Sequence, residues 1–108
     1  MREKKPNSDD FLQILRFLEK VPNSSQRGIA KSLGFSLGKI NYTLKALREK
    51  GYVKLNNFKR NKNKSNYLYI LTPNGIFLKS KLAYKFMKIK FQEYEELKKE
   101  LENQHENK

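Results

Sequence analysis

Residues 34–51 read GFSLGKINYTLKALREKG. Ile40, Leu44 and Leu47 recur at spacings of three and four, which predicts a helix with one narrow apolar stripe. Ser36 is placed to cap the start of that helix. Gly51 ends it, near Lys50, where a left-handed backbone is least strained for glycine. With the stripe turned inward, Leu37, Gly38, Lys39, Asn41, Tyr42 and Lys45 are left to face outward, mostly from the N-terminal half. An outer face of small, polar and basic groups is suited to entering a groove.

Upstream, NSSQRGIAKSLG (residues 23–34) reads as a shorter helix. Asn23 and Gln26 stand at capping-box spacing, Ile29, Ala30 and Leu33 form its inner face, and Gly34 closes it. Two helices joined by Gly-Phe-Ser form a helix-turn-helix pattern. Before them, Phe11, Leu12, Ile14, Leu15 and Leu18 predict a first helix from about Asp9 to Lys20. Ser8 is expected at its N-cap, and Pro22 lies beyond its end.

Downstream of Gly51 the period changes to that of strands. YVKLNNF alternates, YLYILT is rich in β-branched and aromatic residues, and the intervening KRNKNKSN is polar and basic, so a hairpin with a long basic tip is expected. Thr72 and Pro73 then mark the start of a last helix running from Asn74 to around Asn103. At about 1.5 Å per residue it reaches on the order of 40 Å, more than one small domain can cover. Along it Met87, Tyr94 and Leu101 recur every seven residues, with Phe91 and Leu97 on nearly the same face, so these five are the expected dimerisation residues. Folding of that face back onto the first helix is the competing reading.

The expected fold is therefore mainly α with a small β-hairpin, a winged helix-turn-helix with a long C-terminal dimerisation helix. Residues 1–75 form the DNA-binding domain in this reading, and residues 76–108 the dimerisation helix and a polar tail.

Composition narrows the function. The 108 residues contain no cysteine and one histidine, His105 in a polar stretch, so disulfide frameworks, cysteine zinc sites and cysteine nucleophiles are excluded by inventory. With no general-base pair, phosphate loop or metal cluster in view, an enzyme is the least favoured class and no cofactor or metal is expected. No apolar run approaches the roughly 20 residues that span a bilayer, and the N-terminal charges are not followed by the apolar core of a signal peptide, so a cytoplasmic protein is expected. The net charge is +13. Residues 21–78 hold eleven basic side chains against one acid, Glu49, whereas from residue 91 onward acids outnumber lysines. The middle of the chain is the part expected to meet a polyanion.

In a helix-turn-helix the N-terminal half of the second helix enters the major groove. Ser36, Leu37, Gly38, Lys39, Asn41, Tyr42 and Lys45 are accordingly the candidate DNA-contacting residues of that helix. Asn41 can pair bidentately with adenine, and Lys39 and Lys45 can reach guanine edges or phosphates. Lys59, Arg60, Lys62 and Lys64 are the candidates in the wing. Two alternatives belong to other classes. One is a general binder of RNA or single strands that stacks bases on exposed Tyr42, Tyr67 and Tyr69. The other is a protein-interaction or membrane-surface module built on the basic amphipathic stretch 79–91.

SQRGIAKSLGFSLGKINYTLKALREKGYVK, followed by NF, a lysine- and asparagine-rich wing, YLYILTPNGI and later EYEEL, resembles the MarR-family regulators associated with exopolysaccharide gene clusters in bacteria. The similarity extends from about Asp9 to about Leu101, and SLGKINY together with LTPNGI is its most specific part. The resemblance implies a homodimeric transcription factor that binds double-stranded DNA. The chain is shorter than full-length relatives of the wider family, which often carry an effector pocket, and its sequence identifies no small-molecule effector.

Overall fold

The computed structural model describes residues 7–60, 62–63 and 66–106. Its elements run α1 (Ser8–Lys20), α2 (Gln26–Leu33), α3 (Leu37–Glu49), β1 (Val53–Leu55), β2 (Tyr69–Leu71) and α4 (Pro73–Glu106). Three helices and a two-stranded antiparallel hairpin enclose one core, and the fold is a winged helix-turn-helix, mainly α, as expected.

The core is the predicted apolar set. Ile14, Leu15, Leu18, Ile29, Ile40, Leu44, Leu47 and Val53 are buried in one cluster, with Leu78 and Leu82 of α4 packed on its edge. Thr43 is the polar member that periodicity did not single out. It is fully buried because its Oγ1 donates to the Lys39 carbonyl, 2.7 Å away, so that no hydrogen-bonding group is left unmatched.

The helix starts differ in detail from the expectation. Asn7, not Ser8, caps α1. Its side chain accepts from the Asp10 amide at 2.9 Å and the Asp10 carboxylate accepts from the Asn7 amide at 3.0 Å, a reciprocal pair that Ser8 has no equivalent of. Ser25, not Asn23, caps α2 and accepts from the Gly28 amide. Asn23 takes a left-handed φ of 61° and accepts from the Asn56 side chain, so it serves the turn rather than the helix. Ser24 exchanges backbone hydrogen bonds with Tyr69 and so adds a one-residue bridge beside β2.

The strands are shorter than the alternating sequence suggests, pairing only Val53 with Leu71, Lys54 with Ile70 and Leu55 with Tyr69. Beyond them the Asn57 side chain takes over, accepting from the Leu68 amide and donating to the Asn66 carbonyl, both at 2.7 Å, and so closes the base of the wing.

At the start of α4, Thr72 caps as expected, accepting from the Gly75 amide at 3.1 Å. Gly75 presses on the Tyr52 backbone so closely that a Cβ would overlap the Tyr52 carbonyl oxygen. This contact seats the helix root, and Lys79 adds an ion pair to Glu19 of α1 at 2.7 Å. The helix runs 34 residues, about 50 Å, and gives the molecule a longest dimension of 68 Å. Beyond its first turns it does not fold back on α1: Met87, Phe91, Tyr94, Leu97 and Leu101 are each 59–64% exposed.

Candidate nucleic-acid interface

The turn Gly34–Ser36 sets the angle between α2 and α3. Gly34 sits at φ 71°, a left-handed position, and the Ser36 hydroxyl accepts from the Lys39 amide, fixing the first turn of α3. With Ile40, Thr43, Leu44 and Leu47 inside, Leu37, Gly38, Asn41, Tyr42 and Lys45 are exposed on one side, and Tyr42 is 57% exposed.

Lys39 departs from the expectation. Its ammonium lies 3.2 Å from the Asp10 carboxylate and 4.3 Å above the Phe35 ring, with only 23% of the side chain exposed. An apolar ring and a carboxylate offer this cation better company than water, so it clamps the start of α3 to α1 instead of projecting freely.

Beside the exposed face runs a groove of about 250 Å³, between α3 and the strand that returns from the wing. It is lined by Gln26, Asn41, Lys45, Arg48, Tyr67 and Tyr69. Lys45 and Arg48 give it positive charge, Leu44 forms part of its wall, and no carboxylate lines it. Arg48 and Gln26 were not among the sequence candidates. Arg48 was legible, because Asn41, Lys45 and Arg48 follow at spacings of four and three and share a face. Gln26 comes from another helix, and only the tertiary fold brings it there.

The wing carries Lys59, Arg60 and Lys62 in exposed positions, and Lys64 lies outside the described residues. At the wing's base Phe58 and Tyr67 pack ring to ring, with centroids 5.7 Å apart, and the Arg48 guanidinium lies 5.5 Å from the Phe58 ring. This packing ties the wing to α3. Tyr69 is 8% exposed, and burial raises its phenol pKa above the ordinary 10.0, opposed by nearby Arg48 and reinforced by Tyr67. The expected exposure of Tyr67 and Tyr69 is therefore corrected: their rings are used by the fold, and of the three tyrosines Tyr42 alone is exposed.

The stretch 79–91 is likewise partly committed. Leu82 packs on the core and Lys79 pairs with Glu19, so these two side chains are engaged within the chain. No helix among the described residues is long and apolar enough to cross a membrane.

A family profile described as winged helix-turn-helix DNA-binding matches residues 12–54. Comparison with curated proteins finds no match. Among solved structures, MarR of Staphylococcus aureus in complex with salicylate and kanamycin aligns with a TM-score of 0.65 at 22% identity, covering 76% of this chain and 53% of that one. ZitR of Lactococcus lactis in complex with DNA aligns at 0.63 and 24%, covering 89% and 62%. A MarR/EmrR-family regulator from Acinetobacter sp. ADP1 aligns at 0.63 and 24%, covering 91% and 75%. The chain spans about half the length of the Staphylococcus protein it matches. What it shares with all three is the fold.

Proposed function

We propose that the protein is a sequence-specific, double-stranded DNA-binding transcriptional regulator of the MarR type, acting in the cytoplasm as a homodimer. The observation that carries this reading is the exposed N-terminal half of α3, with Asn41, Tyr42 and Lys45 beside a carboxylate-free groove lined by Lys45 and Arg48. Fold neighbours solved with DNA support it: ZitR in complex with DNA and CouR, a transcriptional repressor, bound to a 23-mer duplex.

In this mechanism α3 lies in the major groove. Asn41 reads an adenine edge, Lys45 a guanine edge or phosphate, and Arg48 a phosphate at the groove's rim. Lys39 holds the first turn of α3 against Asp10, so the reading helix arrives already oriented. Lys59, Arg60, Lys62 and Lys64 add sequence-independent attraction to the backbone. Residues 1–75 supply the DNA-reading part and residues 76–108 the dimerisation part. A dimer is favoured because one helix reads too few base pairs, whereas two half-sites one turn apart multiply the discrimination. The resemblance noted in the sequence assigns exopolysaccharide-related genes as targets.

The test is genome-wide mapping of bound sites, followed by titration of the recovered duplex, a scrambled duplex and the separated strands. The expected preference for the recovered duplex over the scrambled one is about 10³-fold or more. Equal affinity for duplex and single strand would instead favour the general nucleic-acid reading. Sites far from exopolysaccharide genes would remove the target assignment while leaving the DNA-binding reading in place.

A further inference from the structure

We propose that the outer stripe of α4 pairs with the same stripe of a second copy, the two helices running antiparallel. This rests on the homodimeric reading above and adds its geometry.

The stripe lies on the opposite side of α4 from the protein's own domain. Gly75, Leu78 and Leu82 face the winged core, whereas Phe77, Tyr84, Met87, Phe91, Tyr94 and Leu101 are 60–73% exposed. At 100° per residue the two sets point in nearly opposite directions, so the stripe is open along its whole length.

The spacing consists of two interleaved seven-residue series. One is Phe77, Tyr84, Phe91 and Lys98; the other is Ser80, Met87, Tyr94 and Leu101. These are the two core positions of a heptad seam. In a parallel pair each series meets itself, which would set Lys98 against the partner's Lys98 inside an apolar seam. In an antiparallel pair one series meets the other. Phe77 then faces the partner's Leu101, Tyr84 the partner's Tyr94, Phe91 the partner's Met87, and Lys98 the small, polar Ser80 of the partner.

Charge favours the same orientation. Residues 79–90 carry five lysines and no acid, while residues 93–102 carry five glutamates and two lysines. The flanking series 81, 88, 95 and 102 reads Lys, Lys, Glu, Glu. Antiparallel pairing lays the basic half of each helix along the acidic half of the other, whereas parallel pairing stacks like on like. Exposed ion pairs add little affinity each, but their arrangement selects orientation and register.

The pair is an isologous, closed dimer with its twofold axis near Ile89. Fourteen residues separate that axis from Gly75, so the two helix roots lie about 40 Å apart along the pair. The winged domains then sit at opposite ends, at a separation comparable with one turn of duplex, about 34–36 Å. Parallel helices would bring both domains to the same end.

The native chain has no cysteine, which makes the orientation directly readable. Phe77→Cys and Leu101→Cys are prepared separately in the full chain, both at exposed positions. After oxidation, mass spectrometry is expected to find the mixed disulfide dimer in excess of either self-linked product, because self-pairs at these positions lie about 36 Å apart. Self-linking of Leu101→Cys as efficient as in the mixture overturns the proposal in favour of a parallel pair. Light scattering supplies the second measurement. The Lys81→Glu, Lys88→Glu double variant is expected to weaken dimerisation about tenfold at low salt, and an unchanged constant overturns the antiparallel arrangement. A wild-type chain that is monomeric at tens of micromolar overturns the pairing altogether, and its capture by anionic vesicles would then assign the stripe to a lipid surface. None of these measurements uses DNA, so a failure to bind a recovered duplex bears on the proposed function alone.

Discussion

In α3 the apolar stripe is inside, with Ile40, Leu44 and Leu47 at most 2% exposed, while Asn41 and Lys45 face solvent beside Leu37 and Tyr42. Beyond its root α4 reverses this, leaving Met87, Phe91, Tyr94 and Leu101 at 60% exposure or more. The two surfaces place different demands on the chain. Water solvates the outer face of α3 well, so a ligand there must offer charge and hydrogen bonds to compete. Water solvates the stripe of α4 poorly, by about 25 cal/mol for each Å² of apolar surface, so that surface favours any apolar partner. One helix is finished within the monomer, and the other leaves an apolar face uncovered there.

The harshest way to break this comparison is to remove the unfinished surface. Truncation after Lys85 keeps Leu78 and Leu82 on the core but deletes Met87 to Leu101. The product is expected to be a folded monomer by solution mass and far-UV circular dichroism. Its affinity for a palindromic duplex should fall about 10²–10⁴-fold, the factor that linking two sites normally supplies. A truncated chain that still bound as a dimer would move the interface to α1.

What could be read in advance follows the same division. The core of α1 to α3 was legible because burial imposes a helical period, and Ile14, Leu18, Ile29, Ile40 and Leu47 all fall on it. The stripe of α4 was legible from a period of its own, the seven-residue recurrence of Met87, Tyr94 and Leu101. Side chains decided by competition between neighbours were not. Lys39 reads as a free cation until Asp10 and Phe35 are brought to it from other parts of the chain. Asn7 and Ser25 displaced Ser8 and Asn23 as caps because capping depends on which residue's backbone turns extended, and several good candidates stood side by side. Gln26 joined the groove only through the packing of α2 on α3, a contact with no local period to announce it.

Smaller changes sharpen the description of α3. Asn41→Ala is expected to lower discrimination between the recovered and scrambled duplexes by about 1–3 kcal/mol, with thermal stability unchanged. Lys39→Ala should behave differently, costing about 1 kcal/mol of stability because Asp10 loses its partly buried partner. Thermal melts beside binding titrations separate the two, and loss of binding without loss of stability in Lys39→Ala would return that lysine to the DNA. Neutralising Lys59, Arg60, Lys62 and Lys64 together is expected to leave discrimination intact while flattening the salt dependence. Each lost phosphate contact takes about 0.9 off the logarithmic slope, and an unchanged slope would make the wing a solvated loop.

The smallest effect sits where the finished helix meets the wing. Tyr69 is buried in the core beside the groove that Arg48 also lines, and burial holds its phenol pKa above 10.0 in the folded chain although Arg48 pulls it back. The neutral phenol is thus the form that folding favours. Below pH 10 the folded and unfolded chains both keep the proton, and the contribution to stability is complete. As pH rises above 10 the unfolded chain releases that proton first, binds fewer protons than the folded one, and is stabilised relative to it. Stability therefore declines with rising pH between the unfolded and the folded pKa. Tyr69→Phe removes the titrating group while keeping the ring against the core, so its denaturant midpoint should decline less than the wild type's between pH 9 and 11. Parallel declines in the two proteins would assign the alkaline loss to other groups and leave Tyr69 a packing residue only.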